Sequence, residues 1–253
     1  MAQSPGAPPR PRPRRAAVAA AAPGDVSPAA ARALEVAAES EPVPLDHPAV
    51  AVDVVVLTVR ERRLEVLLVR RPHPPFASRW ALPGAFVRAD ESLEDAARRK
   101  LAEVAGAYDA YLEQLYTFGD PRRDPRMRVI TVVYYALLPP AALTVREAPD
   151  RRLWRVYELP DLAFDHNQIV AYTLQRLRGK LEYTTIGFQL LAPEFTLSEL
   201  QLVYEAILNR PLDKRNFRKK LLLTRIVEPT AHTRMSGQHR PAQLFRFNPH
   251  ANQ

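Results

Sequence analysis

Glu91, Arg99, Lys100, Glu103 and Gly106 lie along a stretch whose apolar residues Leu93, Ala96, Ala97, Leu101 and Val104 recur three and four apart, the period of a helix. Positions 100, 103 and 104 then share one helical face. A carboxylate cluster on such a face would hold Mg²⁺, which takes hard oxygen donors, neutralises phosphate oxygens and positions or acidifies water. Here the face offers one carboxylate, Glu103, beside a cation, Lys100, and the apolar Val104. Lysine and a divalent metal repel each other in a small site, so the reading is weak metal binding, no metal site, no catalytic residue and little or no metal-dependent hydrolase activity. Positive charge suits holding a diphosphate instead. Lys100, paired with Glu103 one turn away, would supply some of the charge a metal otherwise brings. Arg71, Arg88, Arg126 and Arg128 are further candidates for phosphate contacts, with Phe76 or Trp80 for stacking on a base. Glu91 and Arg99 read equally as ligand contacts or as an ion pair bracing loop to helix. For Trp80, packing in the core is the stronger reading. Asp165 and His166 open a later helix, where capping outweighs a ligand role.

A second chemistry lies near the other end. Residues 210–246 carry ten cations against two anions, Asp213 and Glu228, as large a surplus as the +8 of the whole chain. The segment 213–223 reads as a helix with Phe217, Leu221 and Leu222 inward and Lys214, Arg215, Asn216, Arg218 and Lys219 outward. Apolar residues dock such a helix while Arg and Asn reach base edges in the major groove of a double-stranded DNA operator. Residues 197–208 and a short turn complete a helix-turn-helix. Arg234, His239 and Arg240, with His232 and Gln238, would decorate a wing near phosphates.

The positioning elements can be read around these residues. Residues 49–59 form a near-continuous Val, Ala and Leu run that favours a buried strand, and a turn at Glu61, Arg62 and Arg63 leads to a partner strand over 64–69. Gly106 sits where the first helix should be capped. Residues 111–118, 129–138 and 153–159 read as further strands, and helical character begins at 165–181. Thr196 or Ser198 and Asp213 are available as N-caps. Residues 225–229 and 243–247 resemble a hairpin around a loop with Ser236, Gly237 and Pro241.

With 253 residues the chain holds two modest domains. Residues 1–48 read as a disordered Pro, Ala and Arg-rich arm, 49–160 as the ligand-sensing domain and 161–253 as the DNA-binding domain. Cysteine is absent, which removes disulfides and thiolate chemistry and fits a reducing cytoplasm. No apolar run is long enough to span a bilayer, so no membrane partner is expected.

The segment Leu82-Pro83-Gly84-Ala85, continuing to Glu91, Arg99, Leu101, Glu103 and Gly106, resembles the Nudix box, with Ala85 at its first glycine and Lys100 and Val104 in place of two glutamates. Joined to the basic C-terminal unit, it resembles the NrtR-type Nudix-related transcriptional regulators. Gly119-Asp120-Pro121, Arg123-Asp124-Pro125, Phe164-Asp165-His166, Gly179-Lys180-Leu181-Glu182-Tyr183 and the run from Arg210 to Leu221 also carry the resemblance. It implies an α+β fold, a Nudix-like mixed-sheet sandwich followed by a winged helix-turn-helix. It implies a homodimeric repressor of NAD or sugar metabolism genes, with ADP-ribose or a similar nucleotide as effector and no required cofactor. A Mg²⁺-dependent ADP-ribose pyrophosphatase with an accessory basic domain is the competing reading.

Overall fold

The computed structural model describes residues 47–144, 148–235 and 241–250. Strand β1 (Ala49–Arg60) is the spine. It runs parallel to β6 (Val129–Leu137) on one side and antiparallel to β2 (Arg63–Arg70) on the other. The sheet is completed by β3 (Trp80–Ala81) and β7 (Arg151–Arg155) on β2, β4 (Gly84–Phe86) on β1, and β5 (Tyr111–Phe118) on β6. Both sequence expectations for the first hairpin stand, with one refinement: its turn is the two residues Glu61 and Arg62, both at positive φ, and Arg63 already belongs to β2.

The near-continuous apolar run of β1 follows from its being covered on both faces. Val52, Val54 and Val56 pack with Ala96, Ala97, Leu101 and Val104 of helix α1 (Leu93–Ala105). Val55 and Leu57 face the opposite way, among Ile169, Val170, Leu174 and Leu177 of α2 (His166–Tyr183) and Val203, Ala206 and Ile207 of α3 (Leu197–Leu208). A charged clamp reinforces this second layer, because Lys180 of α2 donates to both oxygens of Glu113 on β5, which also accepts from Tyr135 at 2.7 Å. Burial pushes the Glu113 carboxyl up, but the bonds from Lys180, Tyr111 and Tyr135 outweigh it and hold the group low.

The C-terminal part is a winged helix. The Thr196 hydroxyl accepts from the Glu199 amide, and Glu199 returns a carboxylate to the Thr196 amide, a reciprocal cap that starts α3. Asp213 caps α4 (Lys214–Leu223). β8 (Val227–Arg234) and β9 (Ala242–Phe247) pair antiparallel, and Phe195 exchanges two backbone bonds with Phe245 to tie the wing to the start of α3. A separate core of Phe188, Phe195, Leu197, Leu200, Leu221 and Val227 fills this unit. Two expectations change here. Leu222 does not join the inward stripe of α4 but is 51% exposed. Arg218 is half-buried rather than outward, with a guanidinium nitrogen donating to Ser198 Oγ at 3.0 Å. The helix is ten residues long, and with Phe217 and Leu221 on consecutive turns there is no room for a third inward position at 222.

Gly106 ends α1 in the left-handed region at φ 66°, as its sequence position predicts. A Cβ there would stand 2.0 Å from Thr144 Oγ1, which donates to the Ala105 carbonyl. Gly106→Ala therefore meets both backbone strain and a steric clash, and chemical denaturation should show a loss of about 2 kcal/mol. A variant of unchanged stability would refute this account of the cap.

Candidate functional site

A cleft of about 260 Å³ opens over the N-terminal half of β1, the end of β2 and the flank of α1. Lys100, Arg70, Arg71, Arg123 and Arg126 line it, with Asp53 and Asp124 as its carboxylates and Phe164 and His166 closing one side. Of the phosphate-contact candidates read from the sequence, Lys100, Arg71 and Arg126 meet here, and His166, read there as a helix opener, joins them.

The floor is a buried polar network that periodicity does not reveal. Asp53 sits in the valine run of β1, where its Oδ2 accepts from Thr131 Oγ1 at 2.8 Å and lies 3.5 Å from the Arg123 guanidinium. Arg123, whose side chain is 4% exposed, also grips Asp165 through two bonds of 3.0 and 2.8 Å. Asp165 thus occupies the N-cap position of α2 without capping it, which overturns the capping reading: a carboxylate beside a buried guanidinium gains more from the ion pair than from a backbone amide. His166 is buried as well. Its Nδ1 accepts from the Leu82 amide at 2.9 Å, which leaves the neutral ring's proton on Nε2, 3.7 Å from Asp53 Oδ1. Gly84 completes the floor, since a Cβ there would stand 2.2 Å from Asp53 Oδ1. One signal in the sequence could have found this network: a lone aspartate inside a buried strand must be paired.

Above this floor the charge is uneven. Arg126 is held by Asp124 through bonds of 3.0 and 2.7 Å, and Lys100 donates to Glu103 at 2.9 Å. Arg70 and Arg71 bond only carbonyl oxygens, of Ser78 and of Pro75 and His73. Arg71 also lies 4.7 Å over the Phe164 ring, whose edge meets Phe76. Burial, followed by the charge of Arg126, lowers the Arg71 pKa, as expected in a cleft with more positive charge than its carboxylates neutralise.

The remaining ligand candidates lie away from the cleft. Arg99 makes two bonds to Glu91, at 2.9 and 2.6 Å, and the Arg88 amide donates to the same carboxylate. Those bonds hold the Glu91 carboxyl down at about 2. Glu103 is exposed and reaches the cleft only through Lys100, while Val104 is buried against the sheet. Arg128 donates to the Gly119 carbonyl at 2.6 Å. Trp80 packs edge-on against Trp154 and the core. Among the described residues no three acidic or imidazole side chains cluster as metal ligands, and this donor set does not fit Mg²⁺.

On the winged helix, Lys214, Arg215, Asn216 and Lys219 are exposed on α4. Arg234 is engaged by Glu199 at 2.7 Å and by the Glu194 carbonyl, and His232 by Glu194 at 2.9 Å. Gln238, His239 and Arg240, with Ser236 and Gly237, lie outside the described residues. Among the described residues no helix is long and apolar enough to cross a membrane.

A helix-backed mixed sheet with an altered phosphate-handling helix, continued by a basic winged helix, defines a Nudix fold fitted with a DNA-binding type of module. The NUDIX domain family matches residues 47–177, and the NrtR DNA-binding winged helix domain matches 187–247. The chain is 39% identical over 206 residues to the ADPR responsive transcriptional repressor NtrR of Acinetobacter baylyi, covering 79% of this chain and 82% of that one. Its structure is similar to the crystal structure of Shewanella oneidensis NrtR complexed with a 27mer DNA, with a TM-score of 0.71, 37% identity, and coverage of 80% and 94% of the two chains. It is also 35% identical over 125 residues to the ADP-ribose pyrophosphatase of Methanocaldococcus jannaschii, covering 49% of this chain and 72% of that enzyme. The chain belongs to the NrtR family, in which a Nudix domain is joined to a winged helix.

Two predictions follow from the buried network. Arg123→Met leaves Asp53 and Asp165 without their counter-charge, and thermal or denaturant unfolding should record a loss of about 3–5 kcal/mol. An unchanged midpoint would exclude the network as a structural element. Burial also lowers the His166 pKa, against the opposing pull of Asp53 and Asp165. The unfolded chain then binds the proton more readily, so this contribution is full above the unfolded value of about 6.5 and is lost as pH falls through it. His166→Gln should flatten the stability profile in that window.

Proposed function

We propose that this chain is a transcriptional repressor that binds duplex operator DNA through its winged helix and responds to ADP-ribose or a related nucleoside diphosphate held in the Nudix cleft. The observation that carries the reading is Lys100 lining a cleft of net positive charge where a metal-binding carboxylate would serve hydrolysis. Positive side chains placed around a diphosphate stabilise it by charge-assisted bonds without generating a nucleophile. In this reading the cleft of about 260 Å³ takes the diphosphate end of the nucleotide and leaves the remainder at its open mouth. Arg71, Lys100 and Arg126 contact the phosphates in this reading. Glu91 with Arg99, and Arg88, Glu103 and Arg128, shape the surroundings.

The output is α4, where the exposed Lys214, Arg215, Asn216 and Lys219 meet the groove. Residues 49–160 form the sensing unit and 161–253 the DNA-binding unit, with α2 shared between them. The protein acts as a homodimer in the cytoplasm, on genes of NAD or sugar metabolism, and has lost hydrolase activity. The relative named for ADPR response and the one solved with DNA support this reading.

Calorimetry should detect ADP-ribose binding, weakened roughly tenfold or more by Lys100→Ala, the loss expected for one charge-assisted bond. A gel shift on the DNA upstream of its own gene should respond to ADP-ribose and disappear when the exposed Lys214, Arg215 and Lys219 are all changed to alanine. A shift that survives that triple change would remove α4 as the reading head. The similarity to an ADP-ribose pyrophosphatase keeps one other reading in view. Robust Mg²⁺-dependent turnover of ADP-ribose, lost on Glu103→Gln, would establish hydrolysis instead.

A further inference from the structure

A second cleft, of about 440 Å³, lies between the tip of the β1–β2 hairpin and the turn that joins α3 to α4. Four arginines line it: Arg62 and Arg63 from the hairpin, Arg155 from the end of β7, and Arg210 from the turn. Its two carboxylates are already engaged. Glu158 accepts twice from Arg155, at 3.0 and 2.9 Å. Glu205 takes the Leu212 amide at 2.9 Å and the Gln201 side chain, and lies 3.5 Å from Arg62. Those bonds, the Leu212 amide first, hold the Glu205 carboxyl below its ordinary range, so it stays charged and fixes the turn. Arg63 and Arg210 are both exposed, and no carboxylate among the described residues engages either.

We propose that this cleft is a phosphate-binding surface contributed jointly by the sensor sheet and the helix-turn-helix, and that its occupant is the sugar-phosphate backbone of the same duplex that α4 reads. The inference rests on the DNA-binding reading above. Three features favour a duplex backbone over a small anion. The cleft is wide and open to solvent, and its unpaired guanidiniums are exposed rather than enclosed. Pro211, Leu212 and Asp213 lead from it directly into α4, so a strand crossing the start of the recognition helix continues towards Arg210. The exposed Lys214 and Arg215 also lie close in the chain to Arg210, with one carboxylate between them, Asp213, whose Oδ1 is occupied by the Asn216 amide at 2.8 Å.

This placement gives the sheet two charged ends. At about 3.3 Å per residue, strand β2 separates Arg63 in the phosphate cleft from Arg71 in the nucleotide cleft by roughly 25 Å. One rigid strand would then touch the effector at one end and DNA at the other.

The test is the salt dependence of duplex binding by the full chain, measured by fluorescence anisotropy for wild type, Arg63→Gln/Arg210→Gln and Arg63→Lys/Arg210→Lys. Each phosphate contact contributes about 0.9 to the slope of log affinity against log salt, so the glutamine pair should lower the slope by about two. It should weaken operator and unrelated duplex alike, on the order of tenfold at low salt. The lysine pair should retain most of the slope, and ADP-ribose binding and melting temperature should match wild type in both. If wild type binds the duplex and the glutamine pair has the same slope and affinity, the inference is wrong while the DNA-binding reading stands. If wild type binds neither duplex at low salt, both fail. If inorganic pyrophosphate binds wild type and loses that binding in the glutamine pair while the duplex slope is unchanged, the cleft takes a free anion and the duplex assignment is overturned.

Discussion

The organisation of the Nudix cleft depends on a carboxylate buried in the spine of the sheet. Asp53 cannot be stable among valines without a counter-charge, and Arg123 supplies it from the loop between β5 and β6. The same guanidinium holds Asp165, the residue that starts α2, and the Asp53 carboxylate fills the space a side chain at Gly84 would need. Strand, loop, box lead-in and second helix are therefore registered to one another by a single desolvated charge group. The cleft inherits its shape from that registration, since its upper cations sit on the same elements.

The exchange at position 100 acts within this frame. Lys100 is largely covered, and its ammonium is directed to Glu103 at the edge of the cleft. Arg70 and Arg71 are oriented by carbonyl oxygens and by the Phe164 ring rather than by carboxylates, which leaves their charge available to an anion. Cleavage of a diphosphate needs an activated water and the oxygen donors that create one, and the box helix offers the cleft a lysine at position 100 instead.

Much of this was legible in the sequence where periodicity or capping chemistry governs. The valine run of β1, the three-and-four spacing of α1, the glycine after it and the Asp213 cap each specify one local outcome, and the structure has them; of the two caps open to α3, Thr196 and Ser198, the structure uses Thr196. The floor of the cleft was less legible, because Asp53, Arg123 and His166 lie far apart in the chain and meet only through the sheet and the docking of α2. Val104 shows the limit of helical-face reasoning: four residues from Lys100 and next to Glu103, it turns into the core while Lys100 turns to the cleft and Glu103 to solvent. Arg218 shows the same limit on α4, where a residue expected to face outward is bent back to Ser198 by a hydrogen bond across helices.

Helix α3 is apolar on two sides. Val203, Ala206 and Ile207 belong to the core under the sheet, Leu197 and Leu200 belong to the core of the winged helix, and Tyr204 touches both. Pulling the two units apart would wet one of those faces whichever way the helix went. The described fold from the sheet to the winged helix should therefore behave as one cooperative block in calorimetry, with a single heat-absorption peak whose calorimetric and van't Hoff enthalpies agree. Anything bound at one end of that block then stabilises the other end without touching it.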